Sequence, residues 1–228
     1  QRSFKFGCGR ARNGRGRPRC IKSLCRTLMT VVRILSWNVC DLFYEPYSGN
    51  VVQKKAALAT HARRHRCSAI CCQEAWRPSK WNAYDTNWKF PMGDGLASWP
   101  KGMWQHFTFT DAAGEDRCVH KGFACCDMGK YVLYNVHLQA DHAIGFGDAG
   151  GIRARQMKQL RDHMATHGNR PVVAVGDFNH VCKPEKHEIC ISAENGLDGA
   201  IARNIPGPLG MSEEGTELSD HPITVVSF

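Results

Sequence analysis

The sequence predicts an α/β protein whose sheets are covered by helices. Three observations carry this reading. Short apolar runs of β-rich composition outnumber helical patterns, only two segments show helical spacing, and the two kinds of segment are interspersed rather than blocked. The first run is Val31–Trp37, which ends at Asn38. Asn50 to Arg66 reads as a helix with Val52, Leu58, Ala59 and Ala62 near one face. Ser68–Cys72 follows as a short buried strand, and then a polar loop rich in Trp, Asn and Pro. Strands are expected at Gly95–Trp99, Met103–Phe109, Lys121–Met128 and Tyr131–His137. A second helix is expected from Ile152 to His167, with Met157, Leu160 and Met164 on its apolar face. Pro171–Gly176 and Pro222–Phe228 read as the last strands, and residues 181–222, which lack strong periodicity, as largely loop.

The 228 residues and 43% hydrophobic content suit one well-buried domain and exclude a disordered, collagenous or coiled-coil chain. No apolar run reaches the ~18 residues of a membrane span. The formal charge of +9 points to a nucleic-acid binder until it is mapped. Residues 1–33 hold ten Lys or Arg and no acid, and the remaining 195 carry 20 basic and 21 acidic side chains. The expected organisation is therefore a basic flexible arm at 1–30 and a near-neutral folded domain at 31–228. Within the arm, Arg15-Gly16-Arg17-Pro18-Arg19 resembles an AT-hook core, whose arginines enter narrow minor grooves. The same composition fits a transit peptide. A signal peptide fits poorly, because Arg26 and Arg33 break the apolar part.

Cys71-Cys72 and Cys125-Cys126 are neighbours inside apolar runs, so each pair should split between the two faces of a strand as small buried hydrophobes. That favours reduced thiols over a secreted disulfide framework. Cys8, Cys20 and Cys25 lack a fourth ligand at zinc-site spacing.

Polar residues recur where the apolar runs end. The first run delivers Asn38, Ile70–Cys72 delivers Gln73-Glu74, Tyr134–Val136 delivers His137, and Val172–Val175 delivers Gly176-Asp177-Phe178-Asn179. The last run is preceded by Ser219-Asp220-His221. Ligand sites of α/β sheets gather at such edges. Oxygen-rich donors of this kind suit Mg²⁺, with Mn²⁺ or Ca²⁺ as alternatives, rather than zinc. An oxygen-ligated cation with two histidines is the equipment of phosphoester hydrolysis: the cation neutralises phosphoryl charge and one imidazole accepts a proton from water.

On Ser-Trp-Asn38, Gln-Glu74, Asn-Val-His137-Leu, Gly-Asp177-Phe-Asn179 and Ser-Asp220-His221, in that order, the chain from Val31 to Phe228 resembles the endonuclease/exonuclease/phosphatase superfamily of DNase I-like phosphoesterases. The resemblance implies a four-layer α/β sandwich, two mixed β-sheets packed face to face and flanked by helices. It implies Glu74 as principal metal ligand with Asn38 beside it and Asp220 contributing, and Asp177 as the group that orients or deprotonates water. It further implies Asn179 on a phosphate oxygen, His221 oriented by Asp220 as general base or phosphate contact, and His137 near the leaving group. Leu197-Asp198-Gly-Ala-Ile is the best match to a further acidic strand of the family. His120-Lys121-Gly122-Phe123, His137-Leu-Gln139-Ala140 and Ile152-Arg153-x-Arg155-Gln156-x-x-Gln159-Leu160 resemble the neutral sphingomyelinase-like branch.

Two substrates stay open. A phospholipid or membrane surface suits a near-neutral body, and Trp99–Trp104 offers aromatic rings for a bilayer interface. Nucleic acid is the alternative, reached through the basic arm. A non-catalytic adaptor on the same fold is a third reading, weakened by the completeness of the site. A monomer is expected.

Overall fold

The computed structural model describes residues 31–41, 50–87, 93–141 and 148–228. The expected arm at 1–30, with Cys8, Cys20 and Cys25, lies outside the described residues. In chain order the elements are β1 (Arg33–Asn38), α1 (Val51–His65), β2 (Ala69–Gln73), β3 (Asp85–Thr86), β4 (Ala97–Trp99), β5 (Trp104–Thr108), β6 (Gly122–Asp127), β7 (Val132–His137), α2 (Ala149–Ala165), β8 (Val172–Asp177), β9 (Glu188–Ser192), β10 (Asp198–Arg203), β11 (Gly210–Glu214) and β12 (Ile223–Ser227).

The strands form two six-stranded sheets, ordered β11-β12-β1-β2-β4-β3 and β5-β6-β7-β8-β10-β9. Each sheet has one parallel pair among the described strands, β1 with β2 and β7 with β8. A parallel pair needs a crossover connection. Each helix lies between the two strands of one pair, in the order β1-α1-β2 and β7-α2-β8.

Alternation of side chains sorts the apolar residues into three layers of core. Leu35, Trp37, Ile70 and Cys72 pack with Val51 and Leu58 of α1. Ile34 and Cys71 face Ala124, Cys126, Val173 and Val175 of the second sheet. Cys125, Tyr134 and Val136 pack with Met157, Leu160 and Met164 of α2. The architecture is therefore helix, sheet, sheet, helix. Cys71 and Cys72 do split between two cores, as do Cys125 and Cys126, and all four are buried free thiols.

Three expectations change. Residues 181–222 contain β9, β10 and β11. β10 was hidden because Asp198-Gly199-Ala200-Ile201-Ala202 is built largely from small residues of low strand propensity, yet it pairs with both β8 and β9 and is buried. β9 and β11 are sheet edges and lack a buried face. The two-residue β3 gave no periodicity to read. Lastly, Val52 is 83% exposed, and α1 buries Val51, Lys54 and Leu58 instead. The pattern misled because a lysine occupies a core position: Lys54 Nζ donates to Cys40 O at 3.0 Å, tying α1 to the turn after β1. Burial pulls this ammonium below its ordinary range, against the attraction of Asp41.

The sheets are also joined by a buried polar bridge. Gln73 Nε2 donates to Asn135 Oδ1 at 2.7 Å, and Asn135 Nδ2 donates to Cys72 O and Ser98 Oγ at 3.0 and 2.9 Å. Gln73, Asn135 and Ser98 are fully buried, so every lost partner leaves a desolvated polar group. Asn135→Ala should cost about 2–4 kcal/mol, read as a lower urea midpoint at unchanged slope.

Candidate active site

Topology alone brings the polar strand ends together. The parallel pairs deliver Asn38 and His137 at the ends of β1 and β7, Asp177 at the end of β8, and Glu74 one residue beyond β2. β12 runs antiparallel to β1 and β10 antiparallel to β8, so the beginnings of these two strands lie at the same end. Hence His221 precedes β12 beside Asn38, and Asp198 pairs directly with Asp177.

The local backbone is specialised at these exits. Glu74 adopts φ 54, a left-handed conformation that costs a non-glycine residue about 1–3 kcal/mol. Flanking hydrogen bonds hold it there, from Asp41 N to Glu74 O and from Ala75 N to Gly95 O. Gly176 has φ 147, and a Cβ there would fall 2.0 Å from Val136 O. Only glycine lets β8 approach β7 this closely immediately before Asp177.

The side chains converge. Asn38 Nδ2 donates to Glu74 Oε1 at 3.1 Å and to Asp177 Oδ2 at 3.0 Å, and lies 3.5 Å from His221 Nε2. His137 Nε2 is 3.7 Å from both Glu74 Oε1 and Asp177 Oδ2. His221 Nε2 is 3.9 Å from Asp177 Oδ2, while its Nδ1 lies 2.7 Å from Asp198 Oδ2. Asn179 N donates to Asp177 Oδ1 at 2.8 Å, and Asn179 Nδ2 to Leu138 O at 3.0 Å. His137 and Asp177 form the buried floor, and Glu74 and His221 reach toward solvent with 17% and 11% of their side chains exposed.

No protein-family model matches the chain, and no curated protein sequence does. Solved structures do match. Sphingomyelinase C from Streptomyces griseocarneus aligns over 87% of this chain and 99% of its own, at 16% identity and a TM-score of 0.64. Beta toxin from Staphylococcus aureus aligns over 86% and 99%, at 17% identity and a TM-score of 0.67. TDP2 from Caenorhabditis elegans aligns over 87% and 97%, at 15% identity and a TM-score of 0.62. This is the DNase I-like fold. At such identities the likeness establishes the architecture, and the chemistry rests on the geometry.

Within this cluster, two residues stand differently from what the sequence predicts. Asp220, expected to orient His221 and to contribute to the metal, is exposed and, among the described residues, accepts a single long 3.4 Å bond from Ser219 Oγ. Asp198, a buried residue, holds His221 instead and is itself held by Asn195 Nδ2 at 2.7 Å. The cause is register: Asp198 stands opposite Asp177, inside the cluster, whereas Asp220 lies on the surface before β12. Asn38, expected as a metal ligand, has its amide oxygen occupied by Cys40 N at 3.0 Å and turns its NH₂ group to the carboxylates. It positions the two acids, one with each N–H. The donor atoms that do gather are Glu74 O, His137 N and Asp177 O, all within 4.8 Å of one another.

Sequence reasoning also missed Lys121 as a site cation. Buried at the start of β6, it bonds Leu138 O at 3.2 Å and pairs with Asp116 at 3.0 Å. It was read only as part of a branch motif, although a lysine beside a buried strand is a signal for a paired charge.

Burial, and then the charge of Asp198, push the Asp177 carboxyl above its ordinary range, while His221, Lys121 and the Asn38 hydrogen bond pull it back. A cation at Glu74, His137 and Asp177 would offset this crowding of negative charge, so the donor set fits a divalent ion. Burial opposes the His221 imidazolium, but the hydrogen bond and charge of Asp198, with Asp177 and Asp220, outweigh it and raise the group to about 9. A raised value means that the pair stabilises the fold fully below pH 6.5 and loses that contribution as pH rises through about 9. In chelator-treated protein, Asp198→Asn should lower the His221 midpoint, followed by NMR, by at least about one unit. It should also cost on the order of 2–3 kcal/mol near pH 6, and progressively less as the pH passes about 9.

Proposed function

We propose that this protein is a divalent-cation-dependent phosphodiesterase that cleaves a phosphoester with water, and that its substrate is a phospholipid head-group ester of the sphingomyelin type. The observation that carries the reading is the convergence of two carboxylates, two imidazoles and an amide NH₂ from five separate chain segments at one end of the sandwich. Glu74, Asp177 and His137 would hold the cation, expected to be Mg²⁺ with Mn²⁺ or Ca²⁺ as alternatives. Such an ion neutralises phosphoryl charge and polarises the scissile centre.

The chain's own groups supply the rest. Asp177, facing both imidazoles, accepts the proton of the attacking water. Asp198 occupies Nδ1 of His221, so Nε2 is the nitrogen that meets substrate, and the imidazolium donates to a phosphoryl oxygen. Asn38 Nδ2 spends its two hydrogens on Glu74 and Asp177 and so holds both carboxylates in place beside it. Asn179, anchored on Leu138 O, keeps one N–H for a further phosphate oxygen. His137, under the carboxylates, would complete that ligand set.

Two features support a lipid ester. The domain body is near-neutral, so it has no excess of positive charge to track a polyanion. Among its fold neighbours is a sphingomyelinase C. The Trp99–Trp104 stretch lends nothing. Trp104 is buried, and Trp99, 42% exposed, pairs with Ile70 near the beginning of β2, the end of the sheet away from Glu74. A nuclease is the second reading, favoured by the ten basic residues of 1–33 and by fold neighbours such as D. rerio TDP2, solved with a single-strand DNA product.

Parallel assays on sphingomyelin vesicles and DNA, each with Mg²⁺ or Mn²⁺ and with or without residues 1–30, test the assignment. Phosphocholine release that survives removal of 1–30 is expected, with chelator abolishing it. Glu74→Ala and His221→Ala should each lower the rate by about 10²-fold or more. DNA cleavage that falls steeply with salt and with loss of 1–30 would instead establish the nuclease. Unchanged hydrolysis in both variants would remove the catalytic assignment.

A further inference from the structure

A second group of donor atoms lies outside this site. His61 and His65 stand four residues apart on α1, and therefore on one helix face. Glu214 closes β11, an edge strand of the first sheet, and meets them there. His65 Nε2 is 2.6 Å from Glu214 Oε1, and His61 Nδ1 is 3.1 Å from Glu214 Oε2. One atom from each of the three residues falls within 4.8 Å of the others. The two imidazoles are coplanar within 5°, with centroids 6.4 Å apart. His61 Nδ1 is buried and makes no hydrogen bond, despite facing the carboxylate.

We propose that His61 Nδ1, His65 Nε2 and the Glu214 carboxylate form a second cation site, built for Zn²⁺ or a similar first-row divalent ion. Two imidazoles and one carboxylate form a borderline donor set, which selects zinc over magnesium or calcium. The Glu74, Asp177 and His137 group, with two oxygens to one nitrogen, leans the other way.

The distances suit a site one small adjustment from occupancy. Ligands at about 2.0–2.1 Å in tetrahedral array stand about 3.3 Å from one another. The 2.6 and 3.1 Å contacts must therefore open by less than an ångström. The three side chains are 20%, 24% and 29% exposed, which gives them that freedom and leaves a fourth position for water. Arg64 Nη1, 3.1 Å from Glu214 Oε2, is the competing cation. Its side chain is 67% exposed and can turn into solvent when an ion enters.

An ion here would clip the last turns of α1 to β11, whose other edge has no strand partner among the described residues. Glu214 also pairs with Ile223, two residues from His221, so the clip would brace the strand pair that presents this histidine. At a hundred times its dissociation constant, the ion would raise the folded-to-unfolded ratio about 100-fold.

Zn²⁺ titration calorimetry and thermal unfolding of the full chain decide the matter. The variants are His61→Ala/His65→Ala, Glu214→Gln and Glu74→Ala, with circular dichroism as the folding check. Wild type and Glu74→Ala should share one zinc equivalent and a zinc-induced rise in Tm. The double histidine variant should lose both, and Glu214→Gln, which keeps the size and a hydrogen bond to His65, should weaken that equivalent about 100-fold. If the double variant does not fold, the Glu214→Gln affinity alone decides. Equal stoichiometry and affinity in wild type and Glu214→Gln, or loss of the equivalent in Glu74→Ala only, would overturn the proposal. The Glu74→Ala control keeps this outcome separate from the fate of the phosphodiesterase reading.

Discussion

The parallel pairing of β1 with β2 and of β7 with β8 is the constraint from which the rest follows. Two strands that run the same way must finish at the same edge, and each pair needs a helix to return the chain. Stacking the two pairs face to face sets four strand ends over one point. The buried bridge of Gln73, Asn135 and Ser98 lies just below, and a polar bridge is selective where an apolar contact is forgiving. A slip of either sheet by one residue would break it, so it fixes the relative position of Glu74 and His137, each one or two residues beyond a bridging side chain.

The same end of the molecule holds charge that the interior would not otherwise tolerate. Asp177 and Asp198 are opposite one another on adjacent strands and both are buried. Two carboxylates so placed repel, and the fold sets a ring of donors around them: Asn38, Asn195, His221 and, farther out, Lys121. The ring makes the site rigid because each donor is itself anchored. Asn38 is locked by Cys40 N, and the His221 backbone by Ser219 Oγ and by Trp37 Nε1.

Much of this is legible in the sequence. Bulky apolar runs mark the central strands, and the polar residues just after four of them and just before the last mark Asn38, Glu74, His137, Asp177 and His221. What escaped notice did so for physical reasons. Asp198 begins a strand of glycine and alanine, whose smallness erases the apolar signal, so its partnership with His221 depended on a register that only pairing reveals. Asp220 looked like the obvious neighbour because adjacency in sequence was mistaken for direction in space. Lys54 blurred the face of α1, since a buried ammonium reads as solvent-facing until its carbonyl partner is seen.

The 3.5 Å approach of Asn38 to His221 brings the first described strand against the segment before the last. β12 fills the place between β1 and β11, and Phe228 exchanges backbone hydrogen bonds with Val32. During synthesis, then, β1 waits with one edge open until nearly every other residue of the domain has been made. A nascent chain stopped short of His221 carries four of the five converging groups and no means of completing them. Under the proposed function, hydrolytic competence would switch on late and all at once, as the closing strand docks, making activity a report that this strand is in place.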